Sequence, residues 1–252
     1  MNFIKSSQLP NYSEEIYHPN ESDSLTLITA VREEFSDAPK FFTLLRISPI
    51  SNKIAIAVIP CEIMVEDAGK FDSAANVWKR EGAKRASDAI GNALSVSIDR
   101  WLDLDKSGLI KLTNTIGTVD YLLEEPLLID EMQIFNSGRQ IFDGQKISSV
   151  CFSGEFDENR LYTINSIAAE TARQRIAMIN PPDAELIFNS AVNLGKSSMT
   201  ISDLELRRNA ILKMLEETTE VHQISASGSY NEAKNTFLPS AAFLEALKNE
   251  FK

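Results

Sequence analysis

The stretch FFTLLRISPISNKIAIAVIPCEIMV, residues 41–65, decides the fold of this chain. Its two apolar runs, FFTLLRI and IAIAVI, are rich in β-branched and aromatic side chains, and the SPISNK segment between them is rich in turn formers. This pattern predicts a β-hairpin. The second run is apolar on both faces, so we expect helices above and below its sheet. Pro60 ends this strand and leaves Cys61 and Glu62 just beyond it.

Apolar residues at helical spacing predict helices along the rest of the chain, at residues 82–96, 105–116, 160–179, 202–220 and 239–251. We expect a short helix capped by Asp183 after the Asn-Pro-Pro sequence that ends the third of these. The sequence VCF around Cys151 is apolar and is typical of another central strand. These alternating elements predict an α/β fold.

Composition indicates a folded domain with an acidic surface. The chain has 252 residues, of which 43% are hydrophobic and 24% charged, and its formal net charge is -11. This charge argues against a nucleic-acid partner, because phosphate contacts require a basic face. No run reaches the ~18 apolar residues of a membrane span, and residues 1–9 lack a signal-peptide core. We expect residues 1–24 to form a linker or disordered segment and residues 25–252 a single domain.

The cysteines and histidines do not indicate a disulfide or a zinc site. A disulfide between Cys61 and Cys151 is conceivable, but the sequence favours two buried free thiols. His18 and His222 are the only histidines, and neither shares a helical face with a second ligand, so a zinc site is not supported.

Several segments, in order and at matching spacing, resemble the LytR-CpsA-Psr family of cell-envelope proteins. IPCE stands where the family has Ile-Pro-Arg-Asp, and FDGQKISSVCFSG resembles its Leu-Asp-Gly-x-x-Ala-Leu-x-Tyr-Val-Arg. Further matches are KFDSAANVW (70–78), the stretch 82–123, KSSMTISDL (196–204) and the closing segment 228–252. The resemblance runs from about Leu25 to the C-terminus. It implies a three-layer α/β/α sandwich with a central mixed β-sheet flanked by helices.

The resemblance also implies an activity, the transfer of a glycopolymer from a polyprenyl pyrophosphate carrier to the cell wall. A phosphotransferase of this kind needs arginine forks, a divalent metal such as Mg²⁺, or both. The family places this domain outside the cell behind an N-terminal membrane anchor, which we expect to be missing from this chain. If Met1 is the native start, a cytoplasmic location follows instead. The oligomeric state stays open.

Carried over residue by residue, the resemblance gives Arg160 and Glu62 catalytic roles and makes Asp157 and Glu62 metal ligands, with Glu155 as a further acid. The substrate-binding residues would be Arg32, Lys70, Phe152 and, in a slipped register, Arg173. Family arginines are replaced by Cys61, Phe152 and Thr163, and each replacement removes a fixed charge together with a bidentate donor.

Three hypotheses follow: an altered phosphotransferase, a non-catalytic envelope protein that binds lipid-linked glycan or a protein partner, and a transcriptional attenuator. Convergence of Arg160, Arg173 and Glu62 on one pocket would favour the first. A pocket lined by Phe152 and Cys61 without cations would favour the second. An apolar groove for the prenyl chain is expected beneath residues 82–96 and 109–116 and along the strands around Ile54 and Val150. The small residues Ala83, Ala86 and Ala93 fit an open groove and tight packing equally well.

Overall fold

The computed structural model describes residues 17–129, 134–153, 157–216, 218–231, 233 and 235–251. The strands are β1 (Leu25–Arg32), β2 (Pro39–Ser48), β3 (Lys53–Pro60), β4 (Met64–Asp67), β5 (Lys70–Ser73), β6 (Arg100–Asp105), β7 (Val119–Leu123), β8 (Leu127–Leu128), β9 (Ile134–Phe135), β10 (Gly138–Phe142), β11 (Lys196–Ser197), β12 (Glu220–Ser225), β13 (Gly228–Asn231) and β14 (Thr236–Pro239). The helices are α1 (Ala74–Glu81), α2 (Ala83–Leu94), α3 (Lys106–Ile116), α4 (Gly144–Phe152), α5 (Glu158–Thr171), α6 (Pro181–Leu194), α7 (Ile201–Met214) and α8 (Ala241–Glu250).

A mixed six-stranded sheet organises the domain, in the order β11-β6-β1-β2-β3-β12. The predicted hairpin is confirmed as β2–β3, and β1 extends it as an antiparallel neighbour. Strands β6 and β12 run parallel to β1 and β3, respectively. The carboxyl ends of β1, β3, β6 and β12 therefore lie at one edge of the sheet, together with the start of β2. We call this the upper edge and the opposite one the lower edge.

Helices cover both faces of the sheet, because side chains alternate between the faces along each strand. On the first face, α1, α2 and α8 pack over a core that includes Ile28, Phe42 and Leu44. On the second face, α4 and α5 pack over Val31 and Phe41, with α3, α6 and α7 alongside. The α/β/α sandwich is thus confirmed.

Local signals placed several helices correctly. Helix α2 lies within the predicted range 82–96, and α3 is N-capped by Asp105, whose carboxylate accepts the Gly108 N–H at 2.7 Å. The helix predicted at residues 160–179 corresponds to α5, which begins slightly earlier, at Glu158. It continues directly into a π-helical turn, Ala172–Ile176. Helix α8 confirms the closing helix.

Three assignments were wrong. Cys151 lies in helix α4, because Asp143 caps a helical turn and Ile147, Val150 and Cys151 recur at helical spacing. Helix α6 has 14 residues rather than being short, and Asn180, not Asp183, is its N-cap. Helix α7 ends at Met214, well before residue 220, because that residue begins strand β12.

The N-terminal linker prediction falls mostly outside the described residues, which begin at 17. Within residues 17–24, Glu21–Asp23 form a 3₁₀ turn that Asn20 caps. The proposed domain start at Leu25 coincides with the start of β1 and stays a prediction.

Candidate functional site

An aromatic ring lies close to two ammonium groups at the upper edge of the sheet. The Lys40 Nζ lies 6.0 Å from the centre of the Phe152 ring and donates to the Phe152 carbonyl at 3.2 Å. The Lys106 Nζ lies 5.6 Å from the same ring centre. Both distances are in the range of cation–π attraction. We call Lys40 and Lys106 the lysine pair.

Three different elements bring the lysine pair and Phe152 together. Lys40 follows the first residue of β2, Lys106 is the first residue of α3, and Phe152 is the last residue of α4. Arg32 pairs across the sheet with Pro39 and Asp105, the residues that precede the two lysines. The lysine pair therefore sits beyond the carboxyl ends of central strands, where α/β sheets bind ligands.

Arg32 reaches this edge, but its charge is paired within the protein. Its Nε lies 2.8 Å from Asp103 Oδ1, and its Nη1 donates to the Ser36 carbonyl at 3.1 Å. Both side chains of the ion pair are largely buried. Lys40, by comparison, forms an ion pair with Glu33 at 3.3 Å, in which the Glu33 side chain is exposed. Arg32 thus has less positive charge to offer an anion than the sequence alone implies.

Arg160 is buried and hydrogen-bonded within the protein, and together with Asp157 it lines a cavity of about 1020 Å³. Its side chain is 5% exposed, and its guanidinium donates to the carbonyls of Leu128 at 2.5 Å and Val150 at 3.4 Å. Burial lowers the pKa of Arg160, against the opposing effect of Asp157. In this arrangement the guanidinium joins β8 to α4, and its described hydrogen bonds go to backbone carbonyls.

The predicted acids have local structural roles. Asp157 N-caps α5, and its Oδ1 accepts the Arg160 N–H at 2.7 Å. Mg²⁺ prefers six oxygen ligands in near-octahedral geometry, and no three His, Cys, Asp or Glu side chains among the described residues form a metal site. Glu155 lies outside the described residues. The described side chains do not supply a Mg²⁺ ligand set by themselves, and binding of Mg²⁺ by Asp157 and Glu62 stays a prediction.

Cys61 and Glu62 follow β3 as predicted. Burial, and secondarily the charge and hydrogen bond of Glu62, raise the pKa of the Cys61 thiol far above its ordinary value. A neutral thiol therefore occupies the position of a family arginine. The two cysteines are free, as the sequence favoured, with Cys151 buried and Cys61 half-buried.

Lys70 and Arg173 lie elsewhere. Lys70 is exposed on the β4–β5 hairpin, which packs beside α1 and α2. Arg173 donates to the carbonyl of Val221, at the lower-edge start of β12, and pairs with Glu170. Arg173 follows Arg160 by thirteen residues of helix, which at 1.5 Å per residue separates them by about 20 Å. Arg160 and Arg173 therefore do not converge, as the hypothesis of an altered phosphotransferase would require.

An apolar tract runs beneath the second-face helices. Two cavities of about 180 and 190 Å³ share the side chains of Leu45 and Ile176. The upper cavity is lined by Val31, Phe41, Leu109, Val150 and Cys151, among others, and the lower by Leu27, Ile47, Ile54, Phe188 and Met214, among others. We call the two cavities together the apolar tract.

The groove expected from sequence is partly confirmed. Residues of α3, Ile54 and Val150 line the tract as predicted, although Val150 belongs to a helix. The contribution expected from residues 82–96 was wrong, because Ala86, Ala89 and Ile90 of α2 pack on the first face. The small residues of α2 therefore serve close helix–sheet packing.

Sequence reasoning gave neither lysine of the pair a role in the site. One signal was available in the sequence. Lys106 directly follows the strand pattern WLDLD, and Lys40 directly precedes the apolar run FFTLLRI. Their shared position at one sheet edge follows only from the parallel pairing of β1 with β6.

No helix in the described ranges has both the length and the apolar content needed to cross a membrane. This finding concerns only that part of the chain.

Comparison with solved structures confirms the fold. A transcription-regulator candidate from Eubacterium siraeum has a TM-score of 0.82 at 11% identity, with 98% of each chain covered. Bacillus subtilis TagV has a TM-score of 0.72 at 15% identity, over 91% of this chain and 96% of TagV. TagT bound to LIIa-WTA has a TM-score of 0.69 at 11% identity, over 92% of each chain. No family model and no curated protein matches the sequence.

Proposed function

We propose that this domain, which has the fold of the LytR-CpsA-Psr proteins, binds a polyprenyl-phosphate-linked glycan in the cell envelope. The prenyl chain occupies the apolar tract, and the phosphate lies at the lysine pair. In this proposal the domain works outside the cell membrane. The structure of TagT bound to LIIa-WTA supports the same class of ligand.

One observation carries the proposal: the apolar tract and the lysine pair adjoin. Val31, Phe41 and Cys151 line the upper cavity, and each is next in sequence to Arg32, Lys40 or Phe152 at the upper edge. An amphipathic ligand with an anionic head and a long apolar tail matches this arrangement. Glycan attached to the phosphate would then extend into solvent.

The lysine pair changes how phosphate is held. A lysine ammonium acts as a point charge, whereas an arginine offers a planar bidentate fork. Cys61 and Phe152 replace arginines of the family pattern, and Arg32 and Arg160 are occupied by protein partners. We therefore propose ligand binding as the main function and expect transfer of the glycopolymer to be weak or lost.

The size of the tract sets a further condition. Each cavity is smaller than the 300–1,000 Å³ of usual ligand pockets. A long prenyl chain therefore has to move the second-face helices apart on entry. The proposal therefore requires α6 and α7, which line the lower cavity, to separate from the sheet when the prenyl chain enters.

The test is binding of a series of prenyl monophosphates of increasing length to the purified chain, measured by calorimetry in mild detergent with and without Mg²⁺. We expect affinity to rise with chain length, because each buried methylene contributes about 0.8 kcal/mol. The double variant Lys40→Gln, Lys106→Gln should bind at least tenfold more weakly. Lys84→Gln is the matched control, because Lys84 is exposed on α2 and pairs with Asp88 on the same helix.

Equal affinity for short and long chains, or an unchanged affinity in the double lysine variant, would contradict the proposal. A separate sample that contains a polyprenyl-pyrophosphate-linked glycan and a cell-wall acceptor tests the enzyme hypothesis. Product formation would show that transfer survives without the family arginines.

A further inference from the structure

A separate polar cavity of about 590 Å³ lies near the lower edge of the sheet, between strand β2, the loop after α2 and the end of α8. Its lining includes Ser24, Arg46, Ser97, Arg207 and Lys248. We propose that this cavity is a second ligand site, which takes a phosphate group. Nothing in the proposed lipid site depends on it, and neither proposal requires the other.

Buried donors without acceptors carry this inference. Arg46 is 7% exposed and Ser24 is 6% exposed, and both line the cavity. The Nε of Arg46 and the Oγ of Ser24 have no hydrogen-bond partner among the described residues. Such orphaned groups are rare in folded proteins because leaving them unpaired is costly. Both atoms are screened from the cavity in this structure, so the acceptor oxygens of a ligand would reach them only after the Arg46 and Ser24 side chains turn toward it.

The partners that Arg46 does have leave it available to an anion. Its Nη1 donates to Thr26 Oγ1 at 3.0 Å, and its Nη2 lies 3.9 Å from the carboxylate of Glu21. Glu21 is largely exposed, so this long contact is easily replaced. Arg46 is 7% exposed, and this burial lowers its pKa against the attraction of Asp99 and Glu21.

The balance of charge around the cavity favours an anion. Three cations line it, Arg46, Arg207 and Lys248, against the two acids Glu21 and Asp99. The Asp99 carboxylate is already engaged with the Thr26 N–H at 2.7 Å. Arg207 is partly engaged with the Ser24 carbonyl and with Asp203. Arg46 and the exposed Lys248 remain to contact a ligand in the cavity.

Phosphate fits this set of donors better than a carboxylate does. The cavity offers a guanidinium, an ammonium and the hydroxyls of four serines, Ser22, Ser24, Ser95 and Ser97. A phosphate has enough acceptor oxygens to meet a guanidinium, an ammonium and hydroxyls at once. The phosphate is either a free ion or metabolite or the headgroup of an anionic lipid, and the chemistry is the same for both.

The cavity is remote from the lysine pair. Arg46 lies six residues beyond Lys40 on strand β2, and at 3.4 Å per residue their backbones are about 20 Å apart. Variants at the two places can therefore be told apart in a binding experiment.

The experiment measures binding of inorganic phosphate by calorimetry and binding to vesicles of phosphatidylglycerol against vesicles of phosphatidylcholine. Ser24→Ala and Lys248→Gln should each weaken phosphate binding at least fivefold, whereas Lys84→Gln, which lies outside both proposed sites, should leave it unchanged. Lys248 and Lys84 are exposed, so both substitutions leave the fold intact. Prenyl phosphate binding, in contrast, should respond to Lys106→Gln and not to Lys248→Gln.

Tight binding of inorganic phosphate with equal binding to both kinds of vesicle supports a soluble phosphate ligand. Stronger binding to phosphatidylglycerol vesicles that Lys248→Gln removes supports the headgroup of an anionic lipid. Absence of binding to both probes overturns the inference. Phosphate binding that is lost in Lys106→Gln and kept in Lys248→Gln also overturns it, because the phosphate would then occupy the lysine pair.

Discussion

Lys40 Nζ lies 6.0 Å from the centre of the Phe152 ring and 3.2 Å from the backbone oxygen of the same residue. Phe152 stands where the family pattern has an arginine, so the sequence there indicates a lost positive charge. In the structure the ammonium groups of Lys40 and Lys106 lie 6.0 and 5.6 Å from the centre of this aromatic ring. Positive charge at the upper edge therefore comes from β2 and α3.

We predict that Phe152→Leu weakens prenyl phosphate binding severalfold with little effect on folding. Leucine keeps the apolar contact but removes the π face, which at a partly exposed site attracts each ammonium by roughly 0.5–1 kcal/mol. The free energy of unfolding should change by less than about 1.5 kcal/mol. Calorimetric binding and urea unfolding measure the two effects. Binding equal to that of the unmodified chain would show that the ring does not position the lysine pair.

Asn165 should be a large contributor to stability. It is 2% exposed on α5, its Oδ1 accepts the Val58 N–H at 3.2 Å, and its Nδ2 donates to the Ile224 carbonyl at 2.9 Å. Asn165→Leu leaves a buried donor and a buried acceptor unpaired, at a cost of roughly 1–3 kcal/mol each. Urea unfolding measures the loss.

The matched control for this change is Asn249→Leu, at an exposed position of α8. It should shift the free energy of unfolding by less than about 0.5 kcal/mol. Equal effects of the two substitutions would show that Asn165 does not join α5 to β3 and β12.

Asp203 should make stability depend on acid pH. The carboxyl is 3% exposed and lies 2.7 Å from Arg100 Nη2. Burial raises the pKa of Asp203, but hydrogen bonds from Arg100 and Thr200 outweigh this effect and hold the pKa below its ordinary value. The ionised group therefore stabilises the fold above the unfolded pKa of about 3.9. This stabilisation is lost as the pH falls from there through the lower folded pKa.

The measurement is the urea midpoint of the unmodified chain and of Asp203→Asn between pH 6 and about pH 2. The unmodified chain should be more stable at pH 6, and the difference should shrink as the pH falls. A difference that stays constant over this range would mean that the carboxylate is not the source of the stabilisation.

Both cysteines should react slowly in the folded protein. Burial raises the pKa of Cys151 to about 12, against the attraction of Lys40 and Arg160. Burial and Glu62 raise the pKa of Cys61 as well. Since the thiolate is the reactive form, neither thiol should label within minutes at pH 8. Labelling with a chromogenic disulfide reagent should detect both thiols once the chain is unfolded.

The variant Cys61→Ser isolates the buried Cys151 in this experiment. The variant should release one equivalent of the reagent's chromophore per chain, and only after the chain is unfolded. Rapid labelling of the folded variant would show that the layer of α4 and α5 opens readily, which would also bear on how a prenyl chain enters the apolar tract.

Strands and helices that are specified by a few neighbouring residues could be predicted correctly from the sequence. The β2–β3 hairpin follows from two apolar runs and a turn, and α3 follows from its capping Asp105 and its closing Gly117. Each signal acts over a few residues, so no distant contact has to be known. The order of the family-like segments along the chain also indicated the α/β/α sandwich.

The positions of these elements relative to one another depend on contacts between distant parts of the chain, and the structure was needed to establish them. Helix α2 was recognised, but the face of the sheet that it covers depends on how the chain crosses over after β5. Val150 and Cys151 satisfied a strand pattern and a helix pattern equally, and packing against Val31 and Phe41 selected the helix.

The lysine pair makes the same point for the site. Lys40, Lys106 and Phe152 are separated along the chain, and they meet because β6 pairs in parallel with β1 and α4 packs beside α3. Conversely, Arg160 kept the family pattern in sequence, yet its buried guanidinium bonds to carbonyls of Leu128 and Val150. The sequence gives the type of each residue directly. The charge that a ligand meets also depends on whether the side chain is buried or paired, and these properties depend on contacts between distant parts of the chain.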